Sequence, residues 1–459
     1  MTRIIRCRSA ATLPPASGFQ PLIALLQVPA FWFSNDPWWP VVWTIAISGL
    51  FGIINVGLLG RVLVQSGARP VTVLLAAIFA ATAPAVLGNS LNGLETSLAA
   101  TIGMMAALVA GGLTRDTRPG RLILLGALCG LALLARIDTA FLVLLIGLLA
   151  LSRVGFGRAA MVAAVATAVV LPWWVWCQIN FGTPIPESGR AVHQLVQFYR
   201  GLGLDSATSA FYGLVILAEI GGGDAGTNLG IALGAGGLLA MVWVLGGRRP
   251  VTGLHLLIGA ALLVATFYVV YLPVFWFFDR YFLPVWLAMI GAVALALDRL
   301  ATRTGITGRL PAAIAALLVV FNLPGLARLH AQVAPENSNS FSGVKGYAAV
   351  AQDIIARLPQ DAVLGAMQSG ALGYFAGAGQ RVVNLDGVVS GPAQAALQDR
   401  NLAAFMQGEN IGYFADWRVN RDMFAAFAGI PDPLSVLQEP QPMPPQQKAQ
   451  FVIYRIIWP

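Results

Sequence analysis

The chain has 459 residues, 57% of them hydrophobic and 10% charged, and its mean hydropathy is +0.74. Soluble domains carry about 25% charged residues, so this composition excludes a soluble globular protein and predicts a polytopic membrane protein. Net charge is +8, and of the 28 basic residues only Lys345 and Lys448 are Lys. Basic loops and phosphate-bearing lipid account for that balance better than nucleic acid does.

Residues 1–20 are irregular. Arg3, Arg6 and Arg8 lead into Pro14, Pro15 and Gly18, not into the apolar core of a signal peptide. Pro21 to Phe33 is apolar but short, is interrupted by Pro29, and soon meets Trp38-Trp39. A run of about 13 residues beside a Trp pair is expected at the membrane interface. Spans are predicted at about 40–60, 71–88, 97–113, 121–135, 139–152, 158–177, 227–246, 252–273, 281–298 and 310–327. The fourth and fifth are short enough for a tilted or partly buried hairpin. Loop 178–226 holds a helical patch from Arg190 to Arg200 and an apolar run, Ala210 to Ile220, that reads as re-entrant or interfacial.

From about 331 the composition turns soluble. Helices are expected at Val344 to Leu358 and Pro392 to Met406. Strands are expected at Ala362 to Met367, Arg381 to Leu385, Ile411 to Phe414 and Phe451 to Ile456. This alternation predicts a small α/β domain. Pro440, Pro442, Pro444 and Pro445 form a stiff linker before the last strand. The domain boundaries expected are 1–39 (interfacial), 40–328 (transmembrane) and 329–459 (α/β).

Arg residues set the orientation. Arg61 and Arg69, Arg115 to Arg121, Arg153 and Arg158, Arg248 and Arg249, and Arg299 to Arg309 fall in alternate loops, which the positive-inside rule places in the cytoplasm. The remaining loops, both chain ends and the α/β domain are then outside.

Two apolar runs flank Asn92-Gly93-Leu94-Glu95-Thr96-Ser97, so Glu95 lies where two helices turn at the outer surface. It serves there either as an anion at a helix N-terminus, with Asn92 or Ser90 as cap, or as part of a site at the membrane edge. Arg136, Asp138, Glu187, Arg190, Arg200, Asp279 and Arg280 collect on the same face, whereas the inside loops hold only Asp116 and Asp298 as acids. Taken singly, Arg136 and Asp138 read as snorkelling helix ends, Asp279 and Arg280 as an exposed pair, and Glu187 as loop surface. Together they suit a site for a lipid-linked phosphate. Arg holds phosphate oxygens, and a carboxylate takes a proton from an acceptor hydroxyl or stabilises an oxocarbenium-like state. Cys7, Cys129 and Cys177, and His193, His255 and His330, lack disulfide or metal spacing. No cofactor is expected, and metal dependence is left open. Gly370-Ala371-Leu372-Gly373 reads as a strand-to-helix turn and not as a phosphate loop.

GFQPL at 18–22, NGLETSL at 92–98, ARID at 135–138, FGTPIPES at 181–188, FDRYFLP at 278–284 and SGALGYFAGAGQRVVNLDG at 369–387 occur in that order. In order and character they resemble bacterial polytopic glycosyltransferases of the GT-C superfamily, nearest to arabinofuranosyl- and mannosyltransferase-like membrane proteins with a small outer C-terminal domain. The resemblance spans about residues 15–430, and each motif is short. It implies a polyprenyl-phosphate sugar donor, an envelope glycan or lipid acceptor, and action on the outer face of a bacterial inner membrane. That family carries a helix and a loop Asp ahead of the stretch matching GFQPL. Here only Met1 to Ser17 precede it, without an acid, and Asp36 follows it. No catalytic residue is therefore carried over, and the chain by itself is expected to be inactive as a transferase. Glu95, Arg136, Asp138, Glu187, Arg190, Asp279 and Arg280 stand as candidate substrate contacts.

The expected fold is a polytopic α-helical membrane protein of about ten transmembrane helices with a small C-terminal α/β extracytoplasmic domain. A rival reading, a transporter or flippase of lipid-linked sugars, predicts repeats and mid-membrane charge, and the sequence shows neither. A third reading, an inactive scaffold, follows from the departure at the N-terminus.

Overall fold

The computed structural model describes residues 17–34, 36–184, 186–201, 210, 213, 215–217, 228–247, 250–272, 279–305, 310–333, 346–438 and 451–458. Two compact units emerge: Gln20–Val175 with Leu204–Leu329, and Met1–Phe19 with Trp176–Gly203 and His330–Pro459.

Each of the ten apolar runs coincides with helix. The chain begins with short α1 (Pro21–Gln27) and α2 (Ala30–Phe33), parted at Pro29. It continues through α3 (Trp39–Gln65), α4 (Pro70–Thr82), α5 (Pro84–Ser90), α6 (Thr96–Gly111), α7 (Pro119–Ala135), α8 (Ala140–Val154) and α9 (Phe156–Phe181). Then come α10 (Glu187–Gly201), α11 (Asn228–Leu245), α12 (Gly253–Val270), α13 (Leu283–Thr304) and α14 (Leu310–Val333). A proline sits at the first or second position of α3, α4, α5, α7 and α13, where its missing N–H costs nothing and its fixed φ favours the first turn.

Among the described residues, five stretches are long and apolar enough to cross a membrane: Trp39–Gln65, Ile137–Val154, Phe156–Phe181, Gly253–Val270 and Arg280–Thr304. α4 and α5 make a sixth if counted as one bent span. Helix length therefore does not fix ten spans. α6 and α7, at 16 and 17 residues, are shorter than the roughly 20 a hydrocarbon core asks for. The single span expected at about 71–88 is two helices bent by 64°. Pro84 lacks an N–H and pushes Ala83 out of the helical region, to φ −65° and ψ 118°.

Gly253–Val270 and Arg280–Thr304 are the central elements of this unit, 56% and 67% buried against 17% for Trp39–Gln65. Leu59, Leu63, Leu254, Ile258, Trp286 and Met289 share one core. Ile102, Ala106, Leu125, Cys129 and Ile146 share a second. Ile53 on α3 is 73% exposed, an outward apolar face suited to hydrocarbon.

The Arg-rich loops gather at one end of the helices. Arg69 pairs with Asp298 at 2.7 Å, and Thr72 donates to the same carboxylate. Arg153 donates to the Gly111 and Val251 carbonyls, and Arg158 to that of Arg115. Ser66 bonds Thr252 at 2.8 Å. Because the helices run up and down, the 90–97, 136–138 and 279–282 segments share the other end.

The second unit holds α15 (Gly346–Arg357), β1 (Val363–Ala366), α16 (Ser369–Phe375), β2 (Arg381–Asn384), α17 (Gly391–Gln398), α18 (Leu402–Gly408), β3 (Tyr413–Trp417), α19 (Arg418–Phe427), β4 (Leu437–Gln438) and β5 (Phe451–Ile456). Strand order is β2-β1-β3-β5-β4. β1 runs parallel to β2 and β3, and β5 antiparallel to β3 and β4. The single helix expected at Pro392 to Met406 is two, because Arg400 takes φ 50° between them. α19 and β4 were not anticipated, and the Pro440–Pro445 linker lies outside the described residues. Gly18 packs on the loop after β2 so closely that a Cβ there would meet the Val388 carbonyl oxygen at 1.7 Å.

Asp416 ties the ends of β1 and β3 together. Its carboxylate accepts from the Met367 and Gln368 amides at 2.5 and 3.0 Å, and from Asn420 at 2.7 Å. Burial pushes the Asp416 carboxyl up to about 6. Asp386, after β2, is pushed up to about 6 by burial and additionally by Asp416.

Candidate functional site

The Asn92–Ser97 turn is built on α3. Gly93 takes φ 71°, a conformation glycine adopts without steric cost. Asn92 accepts from the Leu94 amide, Ser48 donates to the Leu94 carbonyl, and Asn55 donates to the Ser97 carbonyl at 3.1 Å. Gly52 lets the turn lie close, since a Cβ there would stand 2.6 Å from that of Ser90. Neither Asn92 nor Ser90 caps α6. Glu95 itself occupies the N-cap position, without a side-chain cap bond, because its carboxylate is engaged elsewhere.

That partner is Arg136. The chain leaves α7 at Arg136 in extended conformation, φ −160° and ψ 133°, then turns through Ile137–Thr139 into α8. Thr139 holds the turn by donating to the Arg136 carbonyl at 2.7 Å. The turn brings Asp138 back onto its own Arg. Arg136 Nε and Nη2 donate to the two Asp138 oxygens at 3.0 and 2.6 Å, and Nη1 donates to Glu95 at 2.9 Å. Tyr268, near the end of α12, donates to Asp138 at 2.9 Å and accepts from Arg136 at 3.3 Å. The Arg136 guanidinium lies 4.5 Å above the Tyr281 ring, which stacks on Tyr268 at 4.7 Å and 2°. The Arg280 guanidinium also lies over that ring, 5.2 Å from its centre.

Arg136 is 4% exposed and Glu95 9%. These are neither snorkelling ends nor a lone helix-terminal anion. Four of the five guanidinium N–H donors are engaged inside the cluster. Two carboxylates and two guanidinium groups, interleaved with two phenol rings, make a layer that is formally neutral. Chemically, the layer holds Arg136 rigid and places the Arg280 guanidinium at its edge, beside the Tyr281 ring.

Of the sequence candidates, the structure brings Glu95, Arg136, Asp138 and Arg280 together. The side chains of Glu187, Arg190 and Asp279 lie outside the described residues. Tyr268 and Tyr281 were missed. Tyr281 stands inside the FDRYFLP stretch, and Tyr268, with Tyr271 one turn on, puts a phenol into an otherwise apolar run.

A bundle of apolar helices with an ion-paired layer at one end, joined to a small mixed-sheet unit, defines a class: multi-pass membrane proteins with an accessory α/β domain. Two solved structures share the fold. ArnT from Cupriavidus metallidurans bound to undecaprenyl phosphate superposes with a TM-score of 0.54 at 13% identity, over 96% of this chain and 88% of that one. The apo state of that protein gives 0.51 at the same identity and coverage. No protein-family model matches the chain, and no curated protein matches it in sequence. The likeness is therefore one of fold.

Proposed function

We propose that this chain is a membrane glycosyltransferase of the GT-C type that takes a sugar from a polyprenyl-phosphate donor. The observation that carries this reading is the buried Glu95–Arg136–Asp138 layer, with Tyr268, Tyr281 and Arg280, opposite the Arg-rich loops. The shared fold supports it, since ArnT was seen bound to undecaprenyl phosphate. Arg280 holds the donor phosphate, as guanidinium groups do. Arg136 positions the layer. A phosphate reaching it would have to displace a carboxylate. Glu95 and Asp138 are likewise held by Arg136, so neither is assigned as the general base. Glu187, Arg190 and Asp279 remain candidate contacts for donor or acceptor. The positive-inside rule puts the Arg-loop end in the cytoplasm of a bacterial inner membrane. The layer and the α/β domain then face outward, across ten spans, towards a glycan or lipid acceptor of the envelope.

The test is the full chain reconstituted in vesicles with polyprenyl-phosphate-linked pentose and hexose donors. Against the inactivity expected from the sequence, this reading expects release of polyprenyl phosphate when acceptor is supplied, weakened in Arg280→Leu; no release from the folded chain would favour the inactive scaffold. Movement of intact donor across the bilayer without release would assign a transporter and overturn the reading.

A further inference from the structure

The second compact unit contains a cavity that the ion-paired layer does not explain. It measures about 620 Å³, inside the roughly 300–1,000 Å³ of small-molecule pockets. Gln194, Gln197 and Phe198 of α10 line it, with Gln398 at the end of α17, Arg400 just after it and Phe427 at the end of α19. α10 is amphipathic by sequence: Ala191, Leu195 and Val196 are buried, and the next positions round the helix carry the amides.

We propose that this cavity binds a neutral saccharide. The Gln194 side-chain oxygen is buried without a hydrogen-bond partner among the described residues. A buried acceptor left so is costly unless a ligand supplies the donor. Glutamine amides both donate and accept, which matches sugar hydroxyls, themselves both donors and acceptors. His193 lies 3.2 Å from the Gln197 amide nitrogen and orients it. Phe198 and Phe427 stand 5.7 Å apart at 47°, two apolar faces for the C–H side of a pyranose or furanose ring. Among the described residues Arg400 is the one permanently charged lining residue, too few cations for a pocket selecting phosphate or carboxylate.

The pocket stands on its own chemistry and not on the transferase reading. Saccharide binding is read without donor, so failure of either leaves the other open. The probe is an array of neutral and acidic oligosaccharides, overlaid with the full chain in nanodiscs. Binding to neutral di- and trisaccharides is expected, falling at least tenfold in Gln194→Leu and in Gln398→Ala. Gln398 is an exposed rim residue, so its variant keeps the test sound if Gln194→Leu fails to fold. No neutral binding on the array, or neutral binding that both folded variants retain, overturns the proposal. Binding confined to acidic members also overturns it and assigns the cavity to anions through Arg400.

Discussion

Replacing Arg136 by Leu removes the group on which two acids depend. In the folded chain its guanidinium makes two bonds to Asp138, one to Glu95 and one to Tyr268. Adding hydrogen bonds to charged groups at about 1.5–3 kcal/mol each overshoots, because the bonds share one ion. The better scale is a buried pair broken from one side, about 3–5 kcal/mol. Here the upper end applies, since Glu95 and Asp138 both stay buried and lose their only shared cation. Arg136→Lys keeps the charge but not the planar fork, and recovers about half of the loss. Arg136→Leu with Asp138→Leu removes one stranded acid, so the double variant is expected to lose roughly 0.5–3 kcal/mol less than the sum of the single losses. The assay is heat unfolding of the full chain in nanodiscs, with hydrogen exchange followed in the Arg136–Thr139 turn. Arg136→Leu unfolding at the wild-type temperature, or losses that simply add, would refute a coupled buried layer.

Arg280→Leu is expected to weaken donor use by about 1–3 kcal/mol with little change in unfolding temperature; wild-type transfer kinetics would place the phosphate elsewhere. Cys substituted singly at Ser188 and Asp399, in a chain without native Cys, should react with an impermeant thiol reagent from outside, and Cys at Asp116 should not; the reverse pattern would invert the topology. Asp386 and Asp416 have folded values near 6 against about 3.9 when unfolded. The native state therefore holds extra protons between these values. Stability of the α/β unit is fully present below pH 4, falls as pH rises to about 6, and is level above it. Hydrogen exchange of β1 and β3 in the full chain should therefore slow from pH 7 to pH 5 after correction for intrinsic rates, and Asp386→Asn should blunt the change. Gly52→Ala forces a methyl against Ser90 and is expected to cost about 1–3 kcal/mol of thermal stability; an unchanged unfolding temperature would show that the turn can move away.

Hydropathy is a local property, and so the ten helical runs were legible without a fold: the apolar stretches and the prolines at their starts name them. The Arg-bearing loops were legible too, because alternate connections of up-and-down helices must return to one end. Within the α/β unit, the four strands of four or more residues were read near their places, while α19 and two-residue β4 went unread because their residues are set by packing and not by a long apolar pattern.

Pairing was another matter. Glu95 and Arg136 are 41 residues apart, and Tyr268 and Asp138 are 130 apart. Single-residue reasoning assigned each a separate surface role, since a charge beside an apolar run ordinarily snorkels. What buries them is the meeting of α6, α7, α12 and α13 at one level, which no periodicity encodes. The break at Ala83–Pro84 was half legible: the proline was visible, but whether a helix kinks through it or stops depends on the neighbours that re-satisfy its backbone. The α10 cavity was hidden for the same reason. Its glutamines look like a solvated helix face until α17 and α19 close over them, and only then does an amide oxygen without a partner become informative.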